Sequence, residues 1–597
     1  MNKDATSRNQ SSGGLTHGLT QHAMLVAWGL YARQLGLVNA IEQVAIKQKV
    51  REHRPQTKVL EFLVAMLAGL PHLQDISRSA HPLDQDQMVA EAWGQPAWAD
   101  YSGVSRTLQR LSESEVTAIM AAMDSVSQRF IERETALALE RNGYLVYDAD
   151  LTGRPVSSTS RSYPDAAFGY MGDGVALGYQ AALVSVHSPT YDRLWLSNQL
   201  HPGDTVSCTQ VQSMVLAAEA RTGLRPRRRI ELVDRRLVAA EAAHGAADDR
   251  YRQSCDDLRD LEDKARHVAW ELSTWRSQVA ELTAEYTQTQ RQPTPHCRLT
   301  RAKGKVATYQ RRLPRLQQAR EKAQRRLLRH RLRLDEAGAE VERLRAHHEQ
   351  LLADNAANAH PIRAIFRLDS GFASRENIAW LIEMGYDIYT KARTTQIPSL
   401  REVAARPECD WRRVGGNAHL TAWANTTVDG HFIYPVDVAL ARYTTGDTER
   451  HALLIHYGDD DVMQDLGGWF HTYNGRQTIE AGIKEGKNVF QMHHLKVRSA
   501  PALRLQEHFA TFAANFVRFA TRWLTDQQDT SVPAEMSSVK HVVQVCAHAS
   551  AWVQRMGDVW LLTFAEQSLY AGRSLRIGFG AVQLPLPLFR NVRFCHF

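Results

Sequence analysis

The chain has 597 residues, more than one ordinary domain holds, and its 44% hydrophobic and 23% charged residues belong to a globular protein of several domains. No apolar run is long enough for a membrane-spanning helix, and the polar start, MNKDATSRNQSSGG, lacks the apolar core of a secretory signal. The six cysteines form no CxxC pair, which excludes a zinc ribbon and a disulfide framework and fits a reducing cytoplasm, while a net charge of +7 suits a polyanionic partner without specifying one.

Residues 1–19 read as a disordered tail, and 20–140 as helical. In AMLVAWGLYARQLGL and KVLEFLVAMLAGL the apolar residues recur at three and four. Ser112 and Glu115 form a capping box that opens a helix. The segment SRTLQRL, with Arg106, suits a helix-turn-helix DNA reader, and a plain helical bundle fits the same pattern. Strand character begins at YLVYDAD and continues in ALGYQAALVSV and YDRLWLSNQL, a meander that leads into a helix near 205–222. These elements define a first core segment, 141–225.

From about 226 to 357 the strand signal vanishes. Leu258, Ala265, Leu272 and Val279 share a heptad spacing, as do Leu261, Val268, Trp275 and Leu282. A second seam carries Leu327, Leu334 and Val341 with Ala337, Leu344 and Leu351. The prolines of RQPTPHC break helix between the seams, so the region reads as an antiparallel coiled-coil insertion with its tip near 290–298. Residues 299–334 hold thirteen Lys or Arg and one acid, Glu321. Such a run suits either a solvated face or a phosphate-binding arm. A strand, a helix and a second strand follow at IRAIFRLDS, ASRENIAWLIEMG and YDIYTKAR, a second core segment over 358–392. Residues 393–465 are β-rich, 466–525 are helical again, and 526–597 form a mixed C-terminal region.

Asp150 and Asp369 each end a strand, where an acid is costly unless it binds something. Asp148 lies two residues before Asp150 and faces the same way, so either can be the first acid. Carboxylate-only ligands select Mg²⁺ or Mn²⁺, and a pair of such ions activates water in phosphodiester chemistry. Tyr473, Arg476, Glu480 and Lys487 fall within an arc of roughly 60° on one helical face, with Lys484 in the same stripe. That face fits a carboxylate flanked by phosphate-holding cations, and equally an exposed face with ion pairs such as Glu480–Lys484. His493, His494, Lys496 and Arg498 follow, near enough in sequence to touch phosphate.

These motifs resemble the DDE transposases of bacterial insertion sequences. YNGRQTIEAGIKEGK matches the Tyr-x2-Arg-x3-Glu-x6-Lys signature of one branch at all four fixed positions. Asp150-Leu151-Thr152 is similar to that branch's first-acid motif, and IFRLDSGF to its second. The resemblance covers about residues 20–225 and 358–525 and implies an α/β fold: an RNase H-like core with a helical N-terminal DNA-binding domain and a β-rich insertion. It implies that Asp150, Asp369 and Glu480 are the catalytic residues and hold two Mg²⁺, with Mn²⁺ as substitute, and it favours Asp150 over Asp148 because Thr152 follows it. Tyr473, Arg476, Lys484 and Lys487 are the implied DNA contacts, with Arg106 in the reader. Trp423 or Trp411 is the implied platform for a flipped base, unless these are core tryptophans. The implied partners are double-stranded DNA, as terminal inverted repeats and target, and a second copy in the DNA complex. The implied place is the bacterial cytoplasm, at the nucleoid. The coiled-coil insertion departs from the family pattern.

Overall fold

The computed structural model describes residues 17–159, 161–392, 405, 407, 411–423, 432–527, 539–566 and 574–578. They fall into two compact units, one from 1–227 with 360–597 and one from 228–359.

The first unit opens with strand β1 (His17–Thr20), so the expected tail is ordered from His17 on. Seven helices follow: α1 (Ala23–Gln34), α2 (Leu37–Glu42), α3 (Pro55–Leu67), α4 (Asp75–Arg78), α5 (Gln87–Ala92), α6 (Tyr101–Gln109) and α7 (Glu113–Asn142). α1 is apolar all round and buried from Ala23 to Ala32, as a helix without a polar face must be. The Ser112–Glu115 capping box starts α7, and Gly143 ends it in the left-handed conformation that glycine adopts freely.

The strands are β2 (Tyr144–Pro155), β3 (Ala167–Tyr170), β4 (Val175–Ser188) and β5 (Asp192–Pro202), followed by α8 (Val211–Thr222). The second unit consists of α9 (Ile230–Gln288) and α10 (Arg298–Ala356). Then come β6 (Arg363–Arg367), α11 (Arg375–Glu383), β7 (Asp387–Ala392), β8 (Arg412–Arg413), β9 (Ala418–Ala422), β10 (Asp437–Thr445) and β11 (Thr448–Tyr457). The chain closes with α12 (Leu466–Asn474), α13 (Gln477–Val489), α14 (Ala500–Gln527), α15 (Val539–Gln544), β12 (Ala551–Met556), β13 (Val559–Phe564) and β14 (Ser574–Gly578).

The fold is mixed α/β. The central part of the large sheet runs β5-β4-β2-β6-β7. β4 is antiparallel to β2 and β5, whereas β6 is parallel to both β2 and β7. β3 extends the β5 side of β4. Beyond β7 the same sheet continues through β11, β10, β9 and β8, so the β-rich segment lengthens the sheet by pairing β11 against β7. α14 packs against β5, α7 and α3 and joins the N-terminal helices to the sheet as one bundle. A four-stranded sheet of β1-β12-β13-β14 ties the two ends of the described chain together.

The second unit is an antiparallel hairpin of two helices, each of 59 residues. Its seam buries Ala265, Val268, Leu272 and Leu282 against Leu299, Ala302, Ala323, Val341, Leu344 and Leu351. Cross-hairpin pairs such as Arg236–Glu340 and Arg345–Glu241 set the register. All thirteen Lys and Arg of residues 299–334 are exposed.

Candidate active site

The parallel register of β2 and β6 places Asp148 beside Arg367. Two residues further along each chain, where the ladder has ended, stand Asp150 and Asp369. Asp148 and Asp150 share a face of β2, yet their surroundings differ. Asp148 is 2% exposed and clasped by Arg367, with Nε donating to Oδ1 at 2.6 Å and Nη2 to Oδ2 at 2.7 Å. Thr478 Oγ1 also donates to it at 3.3 Å. Asp148 is thereby consumed as an internal counter-ion. Asp150 faces Arg476 instead, whose Nη1 donates to Oδ2 at 3.4 Å.

Glu480 comes to this point on α13, which a set of polar pins holds over β2 and β5. Arg193 Nη1 donates to the Thr478 carbonyl at 2.6 Å, and Glu485 accepts from Arg518 at 2.7 Å with Arg193 3.6 Å away. Gly482 lets α13 approach: a Cβ there would overlap Arg193 and Trp195. The stripe from Tyr473 to Lys487 is not one uninterrupted helix. α12 ends at Asn474, and α13 begins at Gln477 after a tight turn in which Arg476 N–H donates to the Tyr473 carbonyl. The reason lies in Arg367. Its Nη1 donates to the Thr472 carbonyl at 3.0 Å, through the space that a Cβ on residue 475 would fill. Gly475 leaves that space open.

Arg476 is the hub. Its Nη2 donates to Glu480 Oε1 at 2.6 Å while Nη1 reaches Asp150. Burial pushes Asp150 up to about 6; Arg476 opposes the rise, and the Asp369 and Glu480 carboxylates add to it. Burial works against the charge on Arg476 as well, but Tyr473, Asp150, Asp369 and Glu480 together hold the guanidinium above its ordinary value. The three acids thus share one electrostatic neighbourhood, with Arg476 as the cation inside it.

Lys391, on β7, was not singled out from the sequence. Its ammonium lies 5.0 Å from the Tyr473 ring centre and 5.3 Å from that of Tyr443. Burial lowers its pKa against the pull of Asp369 and Glu480. A lysine on a buried strand of alternating pattern was the available signal. Arg367 and Arg154 were missed for the same reason, since strand arginines look like surface residues until their partners are known.

The other expected site residues are distributed as follows. Lys487 is half-buried on α13, and burial and Arg154 lower its pKa while Asp173 and Asp150 raise it. Lys484 is exposed on α13. Tyr473 is 3% exposed and its ring belongs to the apolar core beneath the β8–β11 half of the sheet, so it is not displayed on an open helical face. Trp423 and Trp411 are 5% and 7% exposed. The Arg442 guanidinium covers the Trp411 ring at 4.4 Å. Both rings are largely covered in the β layer as placed. Arg106 is exposed on α6, a helix packed on α3 and α4.

Three carboxylates form an oxygen-only donor set that fits a hard divalent cation in chemistry. As placed, Arg476 bridges two of them, Asp150 and Glu480, and among the described residues no three His, Cys, Asp or Glu side chains are gathered as a ligand set. A cation would therefore have to displace the guanidinium from Asp150 and Glu480.

No family model and no curated protein matches the chain. Among solved structures it is similar to the synaptic complex of the piggyBac transposase with hairpin DNA, seen by cryo-electron microscopy: 9% identity over 90% of this chain and 83% of that one, with a TM-score of 0.34. A likeness of that degree does not establish a common fold. Among the described residues no helix is long and apolar enough to cross a membrane.

Proposed function

We propose that the chain is a DNA transposase with an RNase H-like core, in which Asp150, Asp369 and Glu480 hold two Mg²⁺ ions at the scissile phosphate. The observation that supports this reading is that Asp150, Asp369 and Glu480 all act electrostatically on Arg476. Asp150 and Asp369 each follow by two residues the last pair of the β2–β6 ladder, and Arg476 links Asp150 to Glu480 on α13. An antiparallel meander with acids beside its first strand and beside the parallel strand next to it supports the RNase H-like assignment.

When bound, the ions supply Lewis-acid stabilisation of the phosphate and a nucleophilic water at neutral pH. The residues of the chain do the rest. Arg476, released from the carboxylates, is placed to hold a phosphate oxygen through its planar fork. Lys487 and Lys484 line the same helix for the adjoining backbone. Arg367 keeps Asp148 neutralised, so that the charge available to ligands is on Asp150. Water attack on phosphorus expels the 3′ oxygen as a hydroxyl. That hydroxyl then attacks target DNA in line and expels a second 3′ oxygen, so no protein–DNA covalent intermediate forms.

The test uses a plasmid carrying the terminal repeats that flank the gene. With Mg²⁺ the wild type nicks at the ends and joins them to target DNA. Asp369→Asn abolishes both and still binds the ends. Cutting without any joined product would make the chain a nuclease of the same fold. Metal-independent binding with no cutting by the wild type would make it a DNA-organising protein.

A further inference from the structure

Beyond Asp150, β2 runs on to Arg154, and cations gather there. Arg154 is fully buried. Its Nε and Nη2 donate to Glu507 on α14, each at 3.1 Å. Asn198 Nδ2 donates to Glu507 Oε2 at 2.8 Å, so this carboxylate already has its partners. Arg154 Nη1 is buried with no partner among the described residues. The chain then turns back after α13, where Gly486 lets Met492 pack against the helix. The returning segment carries His493 and Lys496 to the same place. The Lys496 ammonium is buried without a hydrogen-bond partner among the described residues, and His493 has a hydrogen bond with the Lys487 backbone. His493 lies in the field of Lys496, Lys487 and Arg154, and Lys487 in that of Arg154.

Arg154 and Lys496 thus share one carboxylate, Glu507, while Lys487 and His493 lie in the field of Arg154. Asp75, Asp150 and Asp173 are the other acids within their electrostatic reach. A buried, unpaired ammonium is among the most costly arrangements a protein can hold, because neither water nor a counter-ion replaces its lost hydration. Solvated surface lysines carry no such requirement. The N–H groups of Arg154 and Lys496 that lack acceptors among the described residues call for an anion with several oxygens, which a phosphate group supplies.

We infer that Arg154, Lys487, His493 and Lys496 form a phosphate-binding pocket that holds a backbone phosphate of the nucleic-acid strand leading away from Asp150. The nucleic-acid occupant rests on the function proposed above; the phosphate site itself does not. Lys496 is the diagnostic residue, because its ammonium makes no hydrogen bond among the described residues.

The experiment uses the full chain in EDTA, so that nothing is cut. Binding of a short random-sequence duplex is followed by anisotropy across a salt series for the wild type and Lys496→Met. Melting is followed with and without millimolar inorganic phosphate. Without ligand, Lys496→Met melts higher than the wild type, since an uncompensated charge has gone. Its duplex affinity falls roughly tenfold, and the slope of log affinity against log salt decreases by about one phosphate contact. Phosphate raises the melting temperature of the wild type and not that of the variant. Should Lys496→Met fail to fold, Lys496→Gln serves in its place and Lys496→Arg restores binding. If phosphate stabilises the wild type but the duplex slope is unchanged in the variant, the pocket stands and takes free phosphate, and the nucleic-acid occupant is overturned. If the variant keeps both the slope and the phosphate response, the pocket is overturned and Lys496 is structural. Asp369→Asn keeps affinity and slope while losing cutting, so failure of the catalytic reading and failure of the pocket give different results.

Discussion

Arg476 donates to Glu480 at 2.6 Å and reaches Asp150 at 3.4 Å, so a single guanidinium stands where the acids would otherwise repel one another. Asp150 and Glu480 thus share one counter-ion, with Asp369 in the same electrostatic field. It also ties cation binding to a rearrangement, because Arg476 must let go of Asp150 and Glu480 before these acids can take a cation. Arg476→Met should therefore bind Mn²⁺ as well as the wild type or better while cutting at least tenfold more slowly, since the phosphate contact is lost. Calorimetric Mn²⁺ titration beside a single-turnover cutting assay checks the split. Equal losses in both would assign Arg476 a structural role only.

Asp150 is held at a cost. Its pKa is pushed up to about 6 by burial, with Asp369 and Glu480 adding to the rise against Arg476. An acid whose folded pKa lies above its unfolded value binds protons more readily when folded. The penalty is absent below about pH 4, develops between 4 and 6, and is full at pH 7. Asp150→Asn in EDTA should accordingly be more stable than the wild type at pH 7, by on the order of 3 kcal/mol at most, and no more stable at pH 4. Denaturant melts at the two pH values test it. A less stable variant at pH 7 would mean that Asp150 serves the fold.

Arg367 and Asp148 are the opposite case, a buried pair that makes the site possible. Both are almost inaccessible, with side chains 7% and 2% exposed. Arg367→Leu leaves Asp148 as an unpaired buried charge and should cost about 3–5 kcal/mol. Adding Asp148→Asn should recover part of the loss. Chemical denaturation of the two single variants and the double variant measures the coupling, and strictly additive effects would contradict it.

Gly482 offers a test in which the sign decides. In an exposed helix Gly→Ala stabilises by up to about 1 kcal/mol. At 482 the new methyl would overlap Arg193 and Trp195 on β5, so α13 must shift and Glu480 with it. Gly482→Ala should destabilise by about 1–3 kcal/mol and depress cutting more than end binding. A gain in melting temperature would show that α13 is not seated on β5.

Lys496 adds a pH signature. Burial pushes its pKa down to about 8, against the pull of Glu507 and Asp75. A base whose folded pKa is depressed costs stability while it is protonated. The penalty is full below about pH 8 and fades as the pH rises towards its unfolded value near 10.4. The stability advantage of Lys496→Met over the wild type should be constant below pH 8 and shrink above it. An advantage independent of pH would come from packing alone.

Much of this protein is legible in local pattern. The capping box at Ser112 and Glu115, the strand from Tyr144, and the two helices with a proline-broken tip between them all follow from neighbours a few residues apart. Helix and strand periods, caps and turns are short-range physics, so sequence by itself determines them. Other features arise only when distant segments meet. Asp148 and Asp150 share a strand face, and nothing local separates them. Arg367, more than two hundred residues away, neutralises one and leaves the other to the site. The same arginine passes through the space above Gly475 and breaks the helix that spacing alone would continue. β11 pairs with β7 and makes the β-rich segment part of the main sheet, burying Trp411 and Trp423, and β1 closes onto β12 at the far end of the chain. Which charge is desolvated, which is paired and which ring is covered depends on long-range packing, because burial and counter-ions belong to a three-dimensional neighbourhood and not to a position in the chain.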